Sequence, residues 1–153
     1  DVLLAKGADV NQTNNDGENA LVLVATLSEL HILNAILNSN PDVNAATKNG
    51  VTALMLLVAG QRWPDGVVVH LDAVRAVLAK GAVVNAQDQS GRTALMFAAR
   101  SGSIDVVRAL LDKGSHVGDK DNKDKTALDY AREIGDEKKT AEIVRLLLSH
   151  PAA

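Results

Sequence analysis

Apolar residues in this chain come in doublets one helical turn apart: Ile32-Leu33 with Ile36-Leu37, Ala73-Val74 with Val77-Leu78, Val106-Val107 with Leu110-Leu111, and Ile143-Val144 with Leu147-Leu148. This i, i+1, i+4, i+5 pattern predicts a helix with one buried stripe in each segment. Ahead of each doublet set lies a shorter apolar burst headed by the same phrase: Thr52-Ala53-Leu54, Thr93-Ala94-Leu95, Thr126-Ala127-Leu128 and, more loosely, Asn19-Ala20-Leu21. Thr and Asn are good N-cap residues, so each phrase predicts the start of a first helix. In the cleanest copy, Ala94, Leu95, Ala98 and Ala99 give that helix a small, apolar face that lets a neighbour approach closely.

Polar punctuation sits at matching places. A turn precedes each phrase: Asp16-Gly17, Asn49-Gly50, Ser90-Gly91 and the degenerate Lys123-Asp124. Asp88 and Asp121, just before two of these turns, are expected to bond the turn backbone. Gly102 is placed to end a first helix, and Gly7, Gly81 and Gly114, with Asn40 as substitute, to follow a second helix in the left-handed region. Lys6, Lys80 and Lys113 lie at the negative end of the second-helix dipole. The close after each doublet helix reads KGADVN at 6–11 and KGAVVN at 80–85, with altered copies NPDVN at 40–44 and KGSHVG at 113–118. The turn recurs at intervals of 33, 41 and 33 residues. A period near 33 predicts a stack of units, none able to bury its apolar face alone.

Period, phrase, turn and close together resemble the ankyrin repeat family, over essentially the whole chain. The family usually has Thr-Pro-Leu-His, whereas here Thr-Ala-Leu is followed by Met55, Met96 or Asp129. The resemblance implies an all-α solenoid of helix-turn-helix units with hairpin tips, forming a single domain over 1–153. Its parts are a half repeat at 1–13 and repeats at 14–46, 47–87, 88–120 and 121–153, the last serving as C-terminal cap. Val2, Leu3 and Leu4 read as the remnant of an outer helix lacking its partner, an expected soft end with sequence missing upstream. Two insertions break the period: eight residues around 61–66, expected between the two helices of the second repeat, and four around 136–139 in the fourth.

Three aromatic residues, Trp63, Phe97 and Tyr130, are too few for a stacking platform on single-stranded nucleic acid, and a net charge of −3 gives no strong field for nucleic acid or anionic membrane. The absence of Cys excludes disulfides and Cys-based zinc sites and leaves the redox compartment open, with the cytoplasm slightly favoured. No apolar run reaches the roughly 20 residues of a membrane span. The histidines (His31, His70, His116, His150) share no ligand spacing and are expected to be solvated. The carboxylates of 119–124 do not form a calcium loop, since Lys123 and Asp124 stand where a ligand and Gly are required. No phosphate loop or nucleophile elbow is present, and Met55 and Met96 fill matching packing slots. The sequence thus predicts no enzyme, cofactor or metal.

What the resemblance implies is a protein or peptide partner held by the hairpin tips and the exposed side of the first helices. Carried over by position, the candidates are Asp16 and Glu18; Lys48, Asn49 and Val51; Gln89, Ser90, Arg92, Arg100 and Ser101; and Lys123 and Lys125. Phe97 and Tyr130 share one first-helix slot, read as mainly structural. The charges run from acidic to basic along the stack, predicting a partner whose acidic part lies on the last two repeats. Arg62 and Trp63, in the first insertion with the turn Pro64-Asp65-Gly66, are candidate specificity residues. For Trp63 the other reading, packing onto Val67, Val68 and Val69, stays open. The alternative to a binding module is a spacer or an engineered or truncated scaffold with no dedicated partner.

Overall fold

The computed structural model describes residues 6–27, 30–63, 66–68 and 70–150, with backbone alone at 27, 30, 61–63 and 66–68. The readings that rest on Val2, Leu3 and Leu4, and on the side chains of Arg62, Trp63 and Val67–Val69, lie outside what is described. Helices pair off along the chain: α1 (Ala20–Leu27) with α2 (Leu30–Asn38), α3 (Ala53–Ala59) with α4 (Leu71–Ala79), α5 (Ala94–Ser101) with α6 (Ile104–Asp112), and α7 (Ala127–Ala131) with α8 (Glu137–Ser149). First helices stack on first helices and second on second, so two layers of helices run side by side.

The caps form as the phrase predicts. Thr52 accepts from the Met55 N–H and Thr93 from the Met96 N–H, both at 3.4 Å, and Asn19 Oδ1 accepts from the Val22 N–H at 3.0 Å. Thr126 goes further: the Asp129 carboxylate accepts from its N–H at 2.9 Å, completing a capping box. Between the layers lies a continuous core of Leu, Val, Ile, Ala and the two Met side chains. Leu54, Met55, Leu95 and Met96 are fully buried in it.

The doublets need one correction. Ile32 is 38% exposed and Leu148 is 71% exposed, while Val144 is only half-buried. In α4 and α6 every doublet residue is buried, because second helices pack on both sides. α8 has α6 on one side, and no described helix covers the other.

Both insertions are resolved into regular structure. In the first, β1 (Gln61–Trp63) pairs antiparallel with β2 (Gly66–Val68) between α3 and α4, in the register Arg62↔Val67. The sequence had no signal for strands there. The second insertion is helical. α8 has 13 residues where α2, α4 and α6 have 9, so the extra residues lengthen the helix at its N-terminus, behind the cap Asp136. Asp136 Oδ1 accepts from the Lys138 and Lys139 N–H groups, which is what draws those residues into the helix.

Candidate functional site

Each tip is shaped by one short acceptor side chain in a recurring slot. Asn14 Oδ1 accepts from the Asp16 and Glu18 N–H groups, and Thr47 Oγ1 from that of Val51. Asp88 Oδ1 accepts from Ser90 and Arg92, and Asp121 Oδ1 from Lys123 and Lys125. The roles expected of Asp88 and Asp121 are thus their roles in the structure. Tips are also zipped to one another. The Lys48 N–H donates to the Asp16 carbonyl, Gln89 to that of Asn49, and Asn122 to that of Ser90, each at 2.8 Å. Gly50 and Gly91 permit this approach: both have positive φ, and a Cβ at either would meet the backbone of the next tip at about 3.1 Å.

A second zipper was missed in the sequence. The closing Asn of each unit reaches into the next: Asn11 Oδ1 accepts from the Asp42 N–H at 2.6 Å, Asn44 Oδ1 from Val83 at 2.8 Å, and Asn85 Oδ1 from His116 at 2.9 Å. Asn44 and Asn85 also donate to the Gly81 and Gly114 carbonyls. The signal was present in the recurrence of Asn11, Asn44 and Asn85 at one slot, and in its replacement by Gly118 in the last close.

The tips and first helices line a face with three parallel lanes, set by equal offsets from the helix caps. One lane is Glu18, Val51, Arg92 and Lys125; the middle is Leu23, Leu56, Phe97 and Tyr130; the third is Thr26, Ala59, Arg100 and Glu133. Two shallow depressions open on this face. The N-terminal one, about 310 Å³, brings together Asp16, Glu18, Lys48, Asn49, Val51 and Leu56. The C-terminal one, about 290 Å³, gathers Ser90, Arg92, Arg100, Lys123, Lys125 and Tyr130, with Asp121 and Glu133.

Two of the sequence candidates bond to the scaffold. The Gln89 amide donates to the Lys48 carbonyl at 2.7 Å, and Ser101 Oγ to the Ala98 carbonyl at 2.9 Å; neither lines a depression. The cations also divide. Arg92 pairs with the buried Asp88 at 2.7 Å and lies 4.8 Å from the centre of the Phe97 ring. Lys125 pairs with Glu133 and lies 5.7 Å from the Tyr130 ring centre. Lys48, Arg100 and Lys123 have no carboxylate partner among the described residues.

Beneath the C-terminal depression, the Tyr130 hydroxyl donates to Asp121 Oδ2 at 2.7 Å. That bond, with the two backbone donors, holds the Asp121 carboxyl below its ordinary pKa against the opposing effect of burial. Burial, aided by the same carboxylate, pushes the Tyr130 phenol up to about 12, so it remains a donor at neutral pH. Of the histidines expected to be solvated, His116 faces Asp119 at 3.7 Å and His150 Nδ1 lies 2.9 Å from the Leu146 carbonyl at the end of α8. Among the described residues no group of His, Cys, Asp and Glu could hold a metal ion, and no helix is long and apolar enough to cross a membrane.

The family model for ankyrin repeats (3 copies) matches residues 1–88 and again 66–153. The chain belongs to the ankyrin repeat family. Curated relatives include the human ankyrin repeat and SOCS box protein 6, 35% identical over 96 residues. The Pongo abelii protein of the same name is 34% identical over 96 residues. Each match covers 61% of this chain and 22% of the relative, so the chain spans under a quarter of the relatives' length. Ankyrin repeats generally mediate protein–protein interaction, and the family is typically non-enzymatic.

Proposed function

We propose that this chain, with the repeat boundaries read from its sequence, is a non-enzymatic, monomeric binding module that holds a protein or peptide partner along the face formed by its tips and first helices. The observation that carries this reading is the grouping of residues far apart in sequence into two depressions on one face, where Lys48, Arg100 and Lys123 have no carboxylate partner among the described residues. The net charge of −3 and the scarcity of aromatic residues argue against nucleic acid and membrane surfaces as the partner. An acidic portion of the partner would sit on the last two repeats, drawn by Arg100 and Lys123 rather than by the ion-paired Arg92 and Lys125.

The β1–β2 ribbon is the second element of the proposal. A helix pair needs only a short turn, so a ribbon between α3 and α4 is an addition the stack does not require. Arg62 and Trp63 belong to residue types enriched at binding hot spots. Affinity capture with the wild-type chain and with an Arg100→Glu, Lys123→Glu variant tests the reading. Partners lost by the variant support it; an unchanged set of captured proteins supports the spacer. Trp63→Ala separates contact from packing at the ribbon: weaker capture at an unchanged melting temperature marks a contact residue.

A further inference from the structure

The two depressions differ in chemistry and lie on the same face two repeats apart. At the N-terminal one, Asp16 and Glu18 stand beside Val51 and Leu56, and the only cation lining it is Lys48. A purely apolar ligand group there would cover two carboxylates and offer neither a bond beyond the one Glu18 accepts from Asn14 Nδ2 at 2.9 Å, which is costly. A long cationic side chain suits it better, its methylene stem on Val51 and Leu56 and its charged head at Asp16 and Glu18. At the C-terminal depression Arg92 and Lys125 are held by Asp88 and Glu133, which leaves Arg100 and Lys123 to meet an anion.

Resting on the binding reading above, we infer that the face takes an extended peptide segment carrying a basic and an acidic side chain about five to six residues apart. The basic residue lies on the N-terminal depression and the acidic one on the C-terminal. The spacing follows from geometry. Stacked helices lie about 8–10 Å apart, so two repeat steps cover roughly 16–20 Å, and an extended chain advances about 3.3 Å per residue.

The repeats supply their own controls. The slot of Glu18 is Arg92 and Lys125 in other units, so Glu18→Lys is compatible with the fold; the slot of Arg100 is Glu133 in the last unit, so Arg100→Glu is too. The test is selection of peptides from a random twelve-residue display library on the 153-residue chain, followed by anisotropy titrations of the enriched peptides. The inference expects enriched peptides with a basic and an acidic residue about five to six positions apart. Glu18→Lys and Arg100→Glu should each weaken them by about five- to tenfold at an unchanged melting temperature. Replacing the peptide's basic residue by Glu should restore binding to Glu18→Lys. Peptides that respond to Arg100→Glu but show no fixed spacing, or ignore Glu18→Lys, overturn the two-site inference while leaving the face as the binding surface. Peptides indifferent to both variants overturn the binding reading as well. Failure to enrich any peptide overturns the inference alone, since a folded partner could still occupy the face.

Discussion

Asp124 and Asp121 show how much of this protein is decided at single residues. Asp124 stands where three other tips have Gly, and it holds φ at +60°. Its side chain is exposed and pairs with Lys120 at 3.5 Å, whereas a Cβ at Gly50 or Gly91 would meet the next tip. Only the conformational cost remains, and Asp124→Gly should stabilise the chain by roughly 0.5–1 kcal/mol, read as a higher melting temperature. Gly91→Ala should do the reverse by more than about 1 kcal/mol, because it adds a steric conflict with the next tip. Asp121 anchors its tip and accepts from Tyr130, and its folded pKa is lowered, first by that hydroxyl. A lowered carboxylate pKa stabilises above the unfolded value, about 3.9, and the contribution disappears as pH falls through the folded value. Asp121→Asn should therefore cost about 1–2 kcal/mol at pH 7, and the gap to wild type should close as pH falls below the unfolded value in denaturant titrations. A gap independent of pH would show that the charge of Asp121 is irrelevant.

Among elements, the helices and their caps were legible because apolar period, cap residue and turn glycine all agree in each unit. What escaped the sequence has physical reasons. The β1–β2 ribbon has three-residue strands, too short for an alternating pattern to register. The lengthened α8 was hidden because its first turn is wholly polar, Glu137-Lys138-Lys139-Thr140, and shows no apolar period. The Asn zipper looked like part of a repeated phrase, since its partners are backbone groups that any residue would supply. Asn85→Ala should remove two bonds that tie repeat 47–87 to repeat 88–120 and lower stability by about 1–2 kcal/mol. Gly118→Asn should change nothing measurable, there being no described neighbour for it to grip. The last unit departs from its peers at Asp124 and Asp129, its Leu148 is exposed where Leu37, Leu78 and Leu111 are buried, and the close before it has Gly118 in place of Asn.

At the scale of the whole molecule, the charge gradient was readable from the sequence only as a sum. Which cations are spent on Asp88 and Glu133 depends on distances that lane offsets do not encode, so Arg92 and Lys125 looked as available as Arg100. Because each unit touches only its neighbours, the chain should be longer than a sphere of equal mass and monomeric; solution scattering checks both. The two zippers also carry a mechanical consequence. They fasten neighbour to neighbour in series, so tension applied at the ends should open the stack as separate events. Each event should release roughly 110 Å of chain, the extended length of a 33-residue unit. A partner lying across several units adds fasteners in parallel, and single-molecule force traces with it bound should lose those steps and rupture at once. The protein would then act as a chain of links when empty and as a single bar when occupied.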